Sequence, residues 1–166
     1  MSDSFPDIKS VVVRVITNKP VRKTPYQVKG VIMRQYPNED IIPMLNGFYR
    51  DRYLYPRVQV KILNEQIHLI GINEGVDPVI SLTKRLKSLD FGNITFDVEH
   101  TDLDYANNQF KPSENLVHYK FITPWVALNH MTGGKYKLLT NQEKPSYLNK
   151  LLGHNIIFLA KEVGVV

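Results

Sequence analysis

The sequence predicts an α+β protein whose strands and helices follow one another in the order β-α-β-β-α-β. Segments rich in β-branched residues, or alternating between apolar and polar residues, indicate four strands within the first hundred residues. Two amphipathic segments with start and stop signals indicate the helices between them. Apolar residues make up 43% of the 166 residues, which is enough for a packed core. This order is typical of the ferredoxin-like split βαβ arrangement, with helices on one face of the sheet and the other face open.

The first strand and the first helix are indicated by composition and by capping signals. Residues 10–17 are rich in Val and Ile, which predicts a strand. A helix over 25–36 is expected, and Pro37 would end it. Its N-cap, first helical position and capping-box position are occupied by Thr24, Pro25 and Gln27. Residues 38–55 show no clear period and are expected to form a loop.

The next segment reads as a β-hairpin. Strands are expected over 57–63 and 66–72, and the two-residue connection Asn64-Glu65 is typical of a tight hairpin turn. Side chains alternate across a strand, so one face of the first strand is apolar and the other polar. The apolar residues are Val58, Val60 and Ile62, and the polar residues are Arg57, Gln59 and Lys61.

A second helix is expected to begin at Asp77 and to end at Gly92. Its apolar residues recur at helical spacing and are Val79, Leu82, Leu86 and Leu89. Residues 93–99 alternate again and predict the fourth strand. Residues 101–115 are polar and acidic, and we expect a linker or a long hairpin loop there.

The last third of the chain resembles the beginning of a second unit. A fifth strand is expected over about 116–122, and a third helix begins at Pro145 and ends at Gly164. The apolar stripe of this helix is Leu148, Leu151, Leu152, Ile156, Leu159 and Val163. We therefore expect a complete ferredoxin-like domain over 8–104, with a partial second unit over 113–166 packed on it.

Charge is distributed unevenly along the chain, although the net charge is only +5. Residues 1–63 carry a net charge of +6, residues 64–115 carry −5, and residues 116–166 carry +4. If the basic segments meet, they form a patch that attracts phosphates; otherwise the charges are solvated on separate faces. The absence of cysteine excludes disulfides and thiolate catalysis. No signal peptide or membrane-spanning run is evident, so we expect a cytoplasmic protein.

The loop before the hairpin interleaves tyrosines with arginines. Tyrosine rings can stack on unpaired bases, and guanidinium groups bind phosphates. We predict that phosphates are contacted by Arg50, Arg52, Arg57 and Lys61. We predict base stacking, or the reaction centre itself, at Tyr49 and Tyr53. Lys29 and Arg34, on the first helix, extend this surface. The alternative is a packed loop in which the arginines pair with Asp51.

Other polar groups give weaker signals. Gly133-Gly134-Lys135 offers two amides and a cation, which can hold a phosphate through Lys135, although a plain turn explains the same residues. None of the five histidines has the spacing of a metal site, and we expect no metal and no cofactor. His68 is expected to pack or to hydrogen-bond within the second hairpin strand.

Several segments together resemble one known family. Tyr55-Pro-Arg-Val-Gln-Val-Lys61, Ile70-Gly-Ile-Asn-Glu-Gly75, Thr123-Pro-Trp-Val-Ala-Leu-Asn129 and Asn155-Ile-Ile-Phe-Leu-Ala-Lys161 are similar to the CRISPR-associated repeat-processing endoribonucleases. The likeness is to the Cas6b-like branch of the RAMP superfamily and spans about residues 8–164. It implies two ferredoxin-like folds in tandem, binding of CRISPR repeat RNA, and metal-independent cleavage that leaves a 2′,3′-cyclic phosphate.

The chain departs from the family pattern at the loop before the Tyr-Pro strand. Family members usually carry histidines there as general acid or base, whereas this chain reads Met44-Leu-Asn-Gly-Phe48. We therefore expect repeat-RNA recognition with cleavage that is active or degenerate. The alternatives are a non-catalytic RNA-binding subunit and a homodimeric protein-interaction module. Other CRISPR-associated proteins are further expected partners.

Overall fold

The structure, a computed structural model, describes residues 6–48, 55–109, 114–115, 118 and 128–164. The chain divides into two units. One unit is Asp7–Gln109, and the other combines Met1–Pro6 with Phe110–Val166. The β-sheet lies in the first of these units.

The first unit has the predicted order of elements, with one short strand, one short α-helix and a 3₁₀ helix at Asn73–Gly75 added. Its elements are β1 (Asp7–Thr17), α1 (Pro25–Gln35), α2 (Ile42–Asn46), β2 (Val58–Leu63), β3 (Gln66–Ile72), α3 (Val76–Arg85), β4 (Ser88–Asp90) and β5 (Thr95–Gln109). The strands form one antiparallel sheet in the order β2-β3-β1-β5-β4. Without the three-residue β4 this is the ferredoxin-like order, so the predicted fold is confirmed.

Two local signals act as the sequence predicts. The Thr24 hydroxyl accepts from the Gln27 amide at 3.2 Å, and the Gln27 side-chain oxygen accepts from the Thr24 amide at 2.9 Å. This capping box satisfies two amides at the start of α1. Asn64 and Glu65 both have positive φ, 51° and 59°, which the tight turn between β2 and β3 requires.

One face of the sheet is buried beneath α1 and α3. Val11, Val13 and Val15 of β1, together with Ile67 and Leu69 of β3, are fully buried. They belong to one apolar cluster with residues of both helices, among them Val28, Ile32, Val79 and Leu82. Because side chains alternate, the residues between them in β1 and β3 lie on the face opposite these two helices.

Two boundary predictions are wrong. The expected loop 38–55 contains helix α2, which buries Leu45. Helix α3 ends at Arg85, and Leu89 is buried from strand β4 instead of from the helix. Gly92, with φ of 86°, lies in the turn between β4 and β5. Glycine with positive φ suits both a helix end and a hairpin turn, so the residue itself did not distinguish them.

Strand β5 extends well beyond the expected 93–99 and includes much of the predicted linker 101–115. Its backbone pairs with β1 from Asp7 to Thr17, so a long partner strand overrides the polar composition. The predicted strand 116–122 lies outside the described residues, except His118, which belongs to no helix or strand.

The described part of the second unit is helical. Helix α4 covers His130–Leu138, and helix α5 covers Glu143–Glu162. Gly133-Gly134-Lys135 lies within α4, where the Gly133 amide donates to the Asn129 carbonyl at 2.8 Å. The expected turn is therefore wrong. Lys135 as a phosphate contact stays a prediction. Helix α5 carries the predicted apolar stripe except Val163, which follows the helix and is buried. No residue within α5 itself is buried.

Candidate nucleic-acid interface

The face of the sheet opposite α1 and α3 carries a row of polar side chains that crosses four strands. Cross-strand pairing places Lys61 of β2 opposite His68 of β3, His68 opposite Arg14 of β1, and Arg14 opposite Asp102 of β5. Directly opposite residues have Cβ atoms about 4.5–5.5 Å apart, so neighbours in this row can interact. We call Lys61, His68, Arg14 and Asp102 the polar row.

One end of the polar row is an ion pair. The Arg14 Nε donates to the Asp102 carboxylate at 3.1 Å, and a second guanidinium nitrogen contacts the same oxygen. The hydrogen bond from Arg14 is the main reason that the pKa of Asp102 lies below its ordinary value, and the charges of Arg14 and His100 lower it further. Both side chains remain about half exposed, so the pair is accessible to solvent.

The other end of the row carries an available cation. Lys61 is exposed, and no carboxylate in the described part of the chain lies within ion-pair distance of its ammonium group. The neighbouring Gln59 donates to the Tyr55 hydroxyl at 2.8 Å, which fixes this amide beside the lysine. A lysine in this position can bind a phosphate without first breaking an ion pair.

His68 lies between Lys61 and Arg14 in the polar row and is half-buried. Its Nδ1 is 3.3 Å from the Gln66 carbonyl oxygen. A ring nitrogen that hydrogen-bonds a carbonyl must carry the proton, so in the neutral ring Nε2 is the acceptor. The expectation that His68 hydrogen-bonds within its strand is confirmed, and the ring retains one nitrogen for another partner.

Arg57 is buried instead of exposed. It precedes β2, its side chain is only 6% exposed, and its Nε donates to the Glu74 carboxylate at 2.8 Å. The expectation that Arg57 shares an exposed polar face with Gln59 and Lys61 is therefore wrong. No local pattern predicts a partner 17 positions away, because only the fold brings Glu74 close to Arg57.

The glycines of the Ile70–Gly75 motif explain why Arg57 and Glu74 meet. A Cβ on Gly71 would stand 2.4 Å from the Gly75 carbonyl oxygen, and a Cβ on Gly75 would stand 2.2 Å from the Arg57 carbonyl oxygen. The Ile72 amide also donates to that Arg57 carbonyl at 2.9 Å. The motif therefore packs the turn before α3 tightly against the chain entering β2, which is a structural role.

The remaining predicted contact residues lie elsewhere. Lys29 and Arg34 are on α1, on the opposite side of the sheet from Lys61, and Arg34 donates to the Asp90 backbone carbonyl. Lys135 is exposed on α4, in the other unit. Tyr49, Arg50, Arg52 and Tyr53 lie outside the described residues. Arg14 was missed, although a charged residue between Val13 and Val15 marks the exposed position of an alternating strand.

A second group of cations surrounds the hairpin formed by β4 and β5, on the helix-bearing side. The Lys23 ammonium lies 5.2 Å from the centre of the Phe91 ring, and that of Lys19 lies 5.7 Å from the centre of the Phe96 ring. These cation–π contacts hold both lysines to the protein. Asp90 and Asp97 flank the same hairpin, so the group is electrostatically mixed.

Other kinds of site are absent from the described ranges. No three His, Cys, Asp or Glu side chains there are grouped as metal ligands would be. None of the described helices is both long and apolar enough to cross a membrane.

Comparison with known proteins identifies relatives of this chain. Residues 6–109 match the family model described as the Cas6b N-terminal domain. A solved structure described as Cas6b is 25% identical and superposes with a TM-score of 0.83, covering 97% of this chain and 74% of the other. A second, described as the CRISPR RNA processing endoribonuclease Cas6b, is 19% identical with a TM-score of 0.66, covering 96% and 70%. At 19% identity, this second similarity shows a shared fold alone.

One curated protein is also similar over part of its length. The uncharacterized protein MJ0978 of Methanocaldococcus jannaschii is 42% identical over 53 residues. This alignment covers 32% of the chain and 36% of the relative, so the chain spans only about a third of that protein.

Proposed function

Because the chain belongs to the Cas6b family, whose N-terminal domain it matches over residues 6–109, we propose that it binds CRISPR repeat RNA and cleaves it without a metal ion. The observation that carries the proposal is the polar row. It places an exposed lysine, a histidine with an available nitrogen and an arginine side by side on the sheet face opposite α1 and α3. Open sheet faces of this fold class are used elsewhere to bind single-stranded RNA.

The proposed reaction is an internal transesterification. The 2′-oxygen attacks the adjacent phosphorus while the bond from phosphorus to the 5′-oxygen breaks. A base takes the proton of the 2′-hydroxyl, and an acid protonates the departing 5′-oxygen. The products are a 2′,3′-cyclic phosphate and a 5′-hydroxyl. A cation beside the phosphate stabilises the charge that develops on its oxygens.

Residues on the polar row can supply these groups. Lys61 supplies a cation, and the acceptor Nε2 of His68 can take or return a proton. Tyr49 and Tyr53 remain the other proposed reaction-centre residues, although an unaided tyrosine, with a pKa near 10, is a weak base at neutral pH. We retain Lys29, Arg34, Arg50, Arg52 and Lys135 as proposed RNA contacts. Arg57 is left out because its guanidinium is buried against Glu74.

The test uses end-labelled repeat RNA incubated with the purified chain in EDTA. A product that ends in a 2′,3′-cyclic phosphate supports the enzyme, and His68→Ala is expected to slow its formation by at least tenfold while leaving RNA affinity nearly unchanged. His154→Ala, which removes an exposed histidine from α5, is the matched control. If His68→Ala cleaves at the wild-type rate, proton transfer belongs to other residues, and Tyr49→Phe and Tyr53→Phe become the next variants.

A non-catalytic RNA-binding protein is the second candidate. It is favoured by the segment Met44–Phe48, which has no histidine where family members usually carry one. Retarded repeat RNA without any cleaved product, in EDTA and in Mg²⁺ alike, identifies this case. A homodimeric interaction module, or assembly with other CRISPR-associated proteins, is tested separately by measuring the mass in solution without RNA.

A further inference from the structure

A recess lies on the helix-bearing side of the sheet, away from the polar row. It has a volume of about 280 Å³ and lies where the start of β1, the end of β5 and the first residue of α3 meet. The described residues lining it are Lys9, Ser10, Val76, Tyr105, Ala106 and Asn107. All six belong to the unit formed by Asp7–Gln109.

Tyr105 is the unusual member of this group. It is paired with Val11, which is fully buried, and therefore lies on the face of β5 that the helices cover elsewhere. At its own position 58% of Tyr105 is exposed. Its hydroxyl makes no hydrogen bond with any residue that the structure describes. The ring is thus a large aromatic surface that contributes little to the core.

The groups around the ring are polar and basic on one side and apolar on the other. Lys9 lies directly opposite Asn107 and diagonally adjacent to Tyr105, on the same face of the sheet. No described carboxylate lies within ion-pair distance of the Lys9 ammonium, and Asp7 accepts a hydrogen bond from Gln109. Val76 provides the apolar side of the recess.

From this arrangement we propose that the recess holds one unpaired nucleotide of the bound RNA. The base stacks on the Tyr105 ring, with Val76 as its apolar neighbour, and the Lys9 ammonium binds the adjoining phosphate. Asn107, on the same face of the sheet as Tyr105, offers hydrogen bonds to the base edge or to the ribose. The inference rests on the proposed function, since it assumes that the chain binds RNA.

An unpaired nucleotide suits this chemistry better than a protein segment. Stacking on an aromatic ring, together with a cation for the phosphate, is how single-stranded nucleic acids are held without a duplex. A purely apolar partner would leave the Lys9 ammonium beside it, where the loss of hydration is unfavourable. The polar row lies on the other face of the sheet, so this site is a separate contact along the RNA.

The test measures repeat-RNA affinity by fluorescence anisotropy for Tyr105→Ala, Tyr105→Phe and Lys9→Ala. Tyr105→Ala is expected to weaken binding by about tenfold, because one base loses its stacking surface. Tyr105→Phe, which keeps the ring, should bind like wild type. Lys9→Ala should lower the salt dependence by about 0.7 units of the log–log slope. Leu103→Ala, two residues away on the same face and partly exposed, is the control and should bind like wild type.

Abasic substitution of the RNA, one position at a time, identifies the stacked base. One abasic position in the RNA should weaken binding to the wild-type chain. The same abasic position should not weaken binding to Tyr105→Ala any further, because that variant has already lost the stacking contact. Wild-type affinity in Tyr105→Ala, or equal losses in Tyr105→Ala and Tyr105→Phe, would overturn the assignment. So would a change of solution mass in Tyr105→Ala without a change in RNA affinity, because the recess would then bind protein. A wild-type chain that does not bind repeat RNA at all would instead overturn the proposed function.

Discussion

The two faces of the same sheet differ in almost every physical property. On the helix-bearing face, Val11, Val13 and Val15 are fully buried along the centre of β1. On the other face, Arg14 stands between them in sequence and is half exposed in its ion pair with Asp102. One strand therefore supplies the core with alternate residues and a charged surface with the residues between.

This difference separates the residues that stabilise the fold from those proposed to bind RNA. Burial of the apolar face provides the main driving force for folding, while the polar row contributes little because exposed charges are well solvated. Substitutions on the two faces should therefore affect different measured properties. Changes on the buried face should unfold the chain, and changes on the polar row should alter RNA binding in a folded chain.

The largest expected effect is the loss of a core side chain. Leu69→Ala should lower the free energy of unfolding by about 2–5 kcal/mol, because Leu69 is fully buried and its removal leaves a cavity. Denaturant titration measures this change. Lys61→Ala, on the neighbouring strand but the other face, should stay within about 0.5 kcal/mol of wild type. Equal losses in both variants would show that the two faces are not energetically distinct.

The next effect concerns the close approach of backbone segments near Gly75. Gly75→Ala should lower the free energy of unfolding by about 1–3 kcal/mol, because the new Cβ meets the Arg57 carbonyl oxygen at 2.2 Å. Gly30→Ala is the control, and it should change the free energy of unfolding in the opposite direction. Nothing lies within 4 Å of its Cβ, and alanine within helix α1 should stabilise the chain by about 0.5–1 kcal/mol. If Gly75→Ala is also stabilising, the tight packing around Arg57 is not present in solution.

Local signals predicted the start of α1 and the hairpin turn correctly. The length of β5 was not predicted, because it depends on pairing between strands. The capping box at Thr24 and the turn at Asn64 involve neighbours within three residues, so the sequence contains them in full. The length of β5 depends on pairing with β1, some ninety positions earlier, which no local pattern records.

The candidate site shows the same division. Alternation predicted that Lys61 is exposed, because that is a property of one strand. Its position beside His68 and Arg14 depends on the registers of three strands. Arg57 was predicted on the wrong surface because its partner Glu74 is brought near by two glycines that exclude any side chain. Long-range pairing therefore explains the error at Arg57, whereas Arg14 was missed although local alternation marks it as exposed.

Apolar periodicity was also an incomplete guide to burial. Helices α3 and α5 both show apolar residues at helical spacing, yet Val79 and Leu82 of α3 are fully buried and no residue of α5 is. In α5, Ile156 and Ile157 remain about half exposed. The pattern records which face of a helix is apolar, but burial also requires a packed layer opposite to it.

A smaller effect tests the polar row directly. Lys61→Ala should reduce the salt dependence of repeat-RNA affinity by about 0.7 units of the log–log slope, because one phosphate contact releases fewer counterions. Lys84→Ala removes an exposed lysine from α3, on the helix-bearing side, and is the matched control. An unchanged slope in Lys61→Ala would place the RNA elsewhere on the protein.

The smallest expected effect concerns the ion pair at the end of the polar row. Arg14 holds the pKa of Asp102 below its ordinary value of 3.8, mainly by hydrogen bonding to the carboxylate. A carboxyl group with a lowered folded-state pKa contributes stability above its unfolded pKa, and that contribution is lost as the pH falls through the folded value. Below about pH 4, wild type should therefore lose stability more steeply than Asp102→Asn.

Asp104→Asn, which removes an exposed carboxylate with no ion pair among the described residues, should follow the wild-type curve. Acid titrations of unfolding that are parallel for wild type and Asp102→Asn would mean that the pair adds nothing to folding, and Arg14 would then be available to bind phosphate at no cost in stability.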